Sequence, residues 1–153
     1  LAQRLVRRVC GNCREKYTPS HEEISSMKVT LDTPLSEIKL TQEGLDGAKA
    51  RATDAAAPFL KNLTVKTKIG ELPFFKGKGC DQCAGSGLKG RQGLYEVMFL
   101  TQHLRKLIMQ NVGAADIRDA AVEEGMLTLR MDGWLKIMKG VVPLEQVLRE
   151  TSA

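Results

Sequence analysis

The sequence has no GxxxxGK[ST] loop, no apolar run of bilayer length and few aromatic side chains. The first absence excludes a phosphate and Mg²⁺ cradle of that type within the chain. Gly85-Ser86-Gly87-Leu88-Lys89-Gly90 has neither the spacing nor the Ser or Thr that must follow. The second excludes a spanning helix, which needs about 20 consecutive apolar residues; the best stretch, Leu94 to Leu100, is interrupted by Glu96. The opening LAQRLVRRVC is too basic, and its apolar part too short, for a secretory signal. It also lacks an initiator Met, as expected of a piece of a longer chain. Four Phe, two Tyr and one Trp leave little to stack on bases. His21 and His103 lie far from any cysteine and read as surface residues, not ligands.

The remaining composition is that of a globular protein. With 42% hydrophobic and 27% charged residues among 153, one domain or two small ones can bury a core, which excludes collagen-like and disordered classes. A net charge of +5 permits contact with nucleic acid or anionic lipid, but 18 acidic residues are interspersed among 23 basic ones.

All four cysteines fall into two pairs, Cys10-Gly11-Asn12-Cys13 and Cys80-Asp81-Gln82-Cys83. A CxxC turn aims two thiolates at one centre, and two such turns complete a tetrahedral four-thiolate site, structural zinc being the expected occupant. Gly11, Asn12, Gly79, Gly85 and Gly87 allow the backbone to curl round it. Arg7, Arg8, Arg14, Lys76, Lys78 and Lys89 are expected to favour the thiolates. Two other readings compete. Redox or disulfide-paired motifs are opposed by the lack of a strand-to-helix context, and catalytic zinc by four thiolates leaving no open position. Residues 14 to 79 separate the pairs, so the metal would tie distant segments together.

Ser20 with Glu23 resembles a capping box for a short helix ending near Met27. Residues 28 to 72 form an excursion between the knuckles, partly helical, whose order the sequence leaves open. Thr41 can start a helix there, against Gly44, Gly47 and Pro58, and the alternation of Leu63, Val65 and Ile69 predicts a strand. A second strand is predicted over Leu94 to Leu100. From Thr101 onward four short helices are predicted, with stripes at Leu104, Leu107, Ile108 and Val112; at Ile117, Ala120 and Ala121; at Leu127, Met131, Trp134, Leu135 and Met138; and at Leu144, Val147 and Leu148. Such stripes, with Met126, are core. Glu123 and Glu124 read as a solvated helix face, not an acid–base pair.

Several ordered motifs resemble one family. Gln3-Arg4-Leu5-Val6-Arg7-Arg8-Val9-Cys10-x-x-Cys13 resembles the segment after the catalytic core of type II secretion and type IV pilus assembly ATPases. Gly79-Cys80-Asp81-x-Cys83, continuing to Gly90-Arg91-x-Gly93-Leu94-Tyr95-Glu96-Val97-Met98, is similar to the second half of its metal-binding insertion. Gly125-Met126-x-Thr128-Leu129, Asp132-Gly133 with Lys136 and Gly140, and Leu144-Glu145-x-Val147-Leu148-Arg149 resemble its tail. The resemblance covers about residues 1–27 and 74–151; Val142-Pro143 departs from it. It implies a hexameric cytoplasmic ATPase at the bacterial inner membrane, driving pilus or pseudopilus subunits out through a platform protein. ATP and Mg²⁺ would bind upstream of Leu1, so this chain alone is not expected to hydrolyse ATP.

Two rivals remain. Cys80 to Gly87 also fits the CxxCxGxG repeat of DnaJ-type zinc fingers, but one copy stands where four are needed. A zinc-ribbon nucleic-acid binder is supported by the basic residues near the knuckles and opposed by the scarcity of aromatics beyond Phe74 and Phe75. Arg91 is read as solvated or carboxylate-paired, with a place near a neighbouring subunit's nucleotide as the alternative. The expected fold is α+β, mainly α. A tetracysteine zinc-binding subdomain with short strands (1–100, excursion about 28–72) is followed by a compact bundle of short helices (101–153), with Cys10, Cys13, Cys80 and Cys83 as ligands and no catalytic residue.

Overall fold

In the computed structural model, which describes residues 1–152, each CxxC turn carries the chain from one two-stranded ribbon into another. Strand β1 (Ala2–Val9) leads into the first turn and β2 (Arg14–Tyr17) leaves it; β3 (Phe74–Gly77) leads into the second and β4 (Leu88–Glu96) leaves it. β1 pairs antiparallel with β4, and β2 with β3. In the middle of β1 Val6 faces the core while its neighbours Leu5 and Arg7 face out. A register shift between Arg7 and Val9 then turns Val9 inward too, and the Val9 N–H donates to the Val141 carbonyl at 2.9 Å. β4 ends at Glu96, paired with Ala2, short of Leu100. Val97 to Leu100 are exposed.

The excursion starts and ends on one cross-strand pair, Tyr17 opposite Phe74. Tyr17 stacks edge-on against Phe74, and Phe74 against Trp134, at centroid distances of 6.4 and 6.3 Å. Helix α1 (His21–Ser26) has the capping box expected of it: Ser20 Oγ accepts the Glu23 N–H and the Glu23 carboxylate accepts the Ser20 N–H. Helix α2 (Gln42–Ala50) starts at Thr41, whose hydroxyl accepts the Gly44 N–H. It holds despite Gly44 and Gly47 because Leu45 and Ala48 are buried in the core, where packing outweighs propensity. The strand expected over Leu63 to Ile69 does not form. Thr64 and Thr67 close a hydroxyl-capped turn inside the run, so its pairing with the neighbouring segment shrinks to a single bridge, Lys68 opposite Pro34.

Helices α3 (Gln102–Met109) and α4 (Ala114–Glu123) pack together over Leu104, Ala121 and Met126. Helices α5 (Leu129–Met138) and α6 (Leu144–Thr151) enter the main core, where Trp134, Met138 and Val147 join Val6, Phe74 and Leu94 of the ribbons and Leu35, Leu45 and Ile69 of the excursion. At Gly133 an added Cβ would collide with Val147, so glycine sets the close approach of α5 to α6. No described helix is long and apolar enough to cross a membrane.

Candidate metal centre

The pairing of β1 with β4 and of β2 with β3 brings the two turns together, and the Sγ atoms of Cys10, Cys13, Cys80 and Cys83 all lie within 4.8 Å of one another. Three separations are Cys10 to Cys80 at 3.9 Å, Cys13 to Cys83 at 3.8 Å and Cys80 to Cys83 at 3.7 Å. These are far beyond the roughly 2.05 Å of a disulfide. Cys10 and Cys83 are buried and the other two half-buried. The cluster could hold a metal ion through four sulfur ligands.

Backbone N–H groups converge on the sulfurs. Cys13 accepts from the Gly79 N–H at 3.3 Å, and Cys83 from Cys80 and Gly87 at 3.1 and 3.2 Å. Asn12 Nδ2 donates to Cys80 at 3.3 Å. Burial opposes ionisation of Cys83, yet the two backbone donors and the Cys80 and Cys13 thiols outweigh it and bring this thiol down to about 6. Cys80 is lowered chiefly by Asn12. Burial pushes Cys13 up to about 11, the Gly79 N–H offsetting part of this. At neutral pH, then, the second knuckle carries charge while Cys13 keeps its proton, and a cation is needed to bring it to the thiolate.

Of the basic residues expected to favour the thiolates, three are engaged elsewhere: Lys78 pairs with Glu15 at 3.1 Å, Lys76 lies over the Tyr17 ring, and Arg7 reaches the Leu88 carbonyl. The Arg14 guanidinium keeps a favourable charge interaction with Cys10. Oriented backbone dipoles act beside it, and no residue-type pattern announces them. Their geometry depends on Gly87, at φ +71°, where a Cβ would run into the Gly77 backbone. Gly87→Ala is expected to cost about 2–3 kcal/mol from the combined strain and clash. Urea unfolding of the metal-loaded chain, compared with wild type, checks this.

The sequence matches the profile of the family described as Type II/IV secretion system protein over residues 1–149. The chain belongs to that family. It is 30% identical over 151 residues to the type IV pilus assembly ATPase PilB of Thermus thermophilus, covering 99% of this chain and 13% of the relative. PilB of Pseudomonas aeruginosa is 30% identical over 151 residues, covering 99% and 20%. Type II secretion system protein E of the same organism is 28% identical over 151 residues, covering 99% and 22%. The chain thus spans about a fifth or less of the length of these relatives.

In this secretion-system chain a second constellation joins the tail to the ribbons, one that the sequence reading quoted only as a motif. Lys136, on α5, is buried with Asp132; its Nζ also donates to the Gly93 carbonyl at 2.7 Å, while Asp132 accepts the Tyr95 N–H at 2.8 Å. Glu96, at the end of β4, accepts the Leu129 N–H at 3.2 Å at the start of α5. Four bonds therefore bind α5 to itself and to the strand that leaves the second knuckle. Among other residues singled out, His21 is exposed, and His103 is an exposed partner of Glu124 at 2.8 Å. Arg91 is exposed opposite Arg7. Met126, Met131 and Met138 are core, and Phe74 and Phe75 are buried at 2% and 4% exposure, which removes them as stacking platforms.

Proposed function

We propose that the chain is the zinc-binding and helical C-terminal portion of a hexameric secretion or type IV pilus assembly ATPase, working at the cytoplasmic face of the bacterial inner membrane. ATP and Mg²⁺ bind in an upstream motor core. The chain transmits the motor's movement toward an inner-membrane platform protein and so to export of pilus or pseudopilus subunits. The names of the relatives and their near-complete coverage of this chain support the role.

The observation that carries the reading is the four-cysteine cluster between β1 and β4. A tetrahedral zinc with bonds of about 2.3 Å to sulfur has edges of about 3.8 Å, and the three separations above, 3.7 to 3.9 Å, fit that figure. Cys10, Cys13, Cys80 and Cys83 would be its ligands, and a closed four-thiolate shell supplies structure and no catalysis. The ribbon fixed in this way is the one that α5 grips through Lys136, Asp132 and Glu96. Movement entering at β1 would then reach the tail as one rigid body. In the full-length ATPase, Cys10→Ser with Cys83→Ser is expected to abolish pilus or secretion output while the separated motor core keeps its nucleotide binding. Unchanged output and hexamer ATPase would sink the proposal.

A further inference from the structure

We propose that the cleft between the 28–39 segment and the helical tail binds a phosphate-bearing small molecule, its phosphates held by Lys28, Lys39 and Arg118. The cleft encloses about 590 Å³, the size of a small-ligand site. Met27, Val29, Ile38 and Leu129 give it apolar walls. Cations reach it from separate parts of the chain: Arg4 on β1, Lys28 just after α1, Lys39 just before α2, Arg118 on α4 and Arg130 on α5. Among the described residues, Arg4, Lys28, Lys39 and Arg118 have no carboxylate partner within 4 Å. Arg130 is turned to the Thr151 hydroxyl and carbonyl.

The carboxylates that line the cleft do not neutralise this set. Glu150 is paired with Arg149, which leaves Glu37 and Glu96, the latter also accepting the Leu129 N–H, against five cations. The first turn of α5 is capped by Thr128 and Glu96, so the helix terminus is not the anion receptor. The cations are.

Backbone conformation supplies a second, independent observation. Lys28 and Lys39 both adopt positive φ, +60° and +59°. L-residues enter that region at a cost, and glycine would relieve it. Of the four non-glycine residues in that region, Lys28, Lys39, Ala84 and Asn111, two are the lysines that line this one cleft, which gives their side chains as a reason for the residue choice. The five cations surround a bounded cavity and do not run along a strip, which favours a compact polyanion over an extended acidic peptide.

The test uses the chain as purified with its metal, titrated at fixed ionic strength with inorganic phosphate, pyrophosphate and a nucleoside diphosphate, followed by calorimetry and thermal melting. Pyrophosphate is expected to bind and raise the melting temperature. Equal binding of the nucleoside diphosphate would support the site and indicate an inorganic ligand; tighter binding would support it and indicate an organic one. Lys28→Gly with Lys39→Gly is expected to melt at or above wild type, since strain is relieved, yet to bind about tenfold or more weakly from the lost charge-assisted bonds. Lys61→Ala with Lys66→Ala, in the same excursion but off the cleft, is expected to bind as wild type. The proposal is overturned if none of the three phosphates binds. Undiminished affinity in the double glycine variant, or binding of a polyglutamate peptide where the phosphates fail, would overturn it as well.

Discussion

Chelating the metal from the cysteine cluster is expected to lower the melting temperature of the chain by about 8–16 °C. A ligand held at a thousandfold above its Kd stabilises by about 4 kcal/mol, and each kcal/mol moves the midpoint of a chain this long by about 2–4 °C. The loss should be uneven. The main core holds only Val6, Phe74 and Leu94 from the ribbons near the cluster, so α5 and α6 are expected to keep most of their packing. The Cys10 N–H to the Gly87 carbonyl and the Lys78 N–H to the Cys13 carbonyl are backbone–backbone bonds that join the two knuckles. Their amides should lose hydrogen-exchange protection first, and restoration by zinc but not by magnesium is the control. Binding also carries a sign in pH. Cys13, pushed up to about 11, is protonated in the metal-free chain at neutral pH. Coordination must release that proton, so affinity rises with pH and falls on acidification. Calorimetry in two buffers of different ionisation enthalpy counts the protons; affinity independent of pH between 6 and 8 would rule the thiolate site out.

Lys136→Met is expected to cost about 3–5 kcal/mol in urea unfolding, the usual penalty for removing one partner of a buried ion pair. The side chains of Lys136 and Asp132 are only 10% and 15% exposed, so water cannot replace the lost charge. Truncation would leave Asp132 with the Tyr95 N–H alone and the Gly93 carbonyl with the Gln92 side-chain amide in place of the ammonium. Asp132→Asn added to Lys136→Met should recover part of the loss, because the stranded charge is gone while the Tyr95 N–H still has an acceptor. A double variant no better than the single one would show that the packing of the lysine stem, not the charge, held α5 against β4. In the full-length protein the single variant tests the proposed coupling: metal retained, but movement no longer carried to the tail.

How far the chain was legible can be judged from particular residues. The spacing of Cys10, Cys13, Cys80 and Cys83 singled out the four sulfurs that the fold assembles, because a CxxC turn is local and its geometry travels with the sequence. The Ser20 to Glu23 capping box and the four tail helices were legible for the same reason, each depending on neighbours three or four positions away. Of the α3 stripe, however, Leu104 is buried while Ile108 is exposed and Val112 lies beyond the helix. Leu63 to Ile69 misled because alternation records burial of one face, and the Thr64–Thr67 turn breaks the extended run before a partner strand can pair beyond Lys68. The Lys136, Asp132 and Gly93 junction lay hidden across more than forty residues of sequence, where nothing in residue order reveals which carbonyl a lysine will reach.

The sequence by itself determined the local turns, the helix starts and the four candidate ligands, since propensity, capping and CxxC geometry act over a few residues. Only the tertiary structure decided that β1 joins β4 to bring the knuckles together, that backbone N–H groups converge on the sulfurs, and that the 28–72 segment packs Leu35, Leu45 and Ile69 against α5 and α6. Those outcomes rest on contacts between distant segments, whose free energy exists only once the chain has paired its strands and excluded water from one common core.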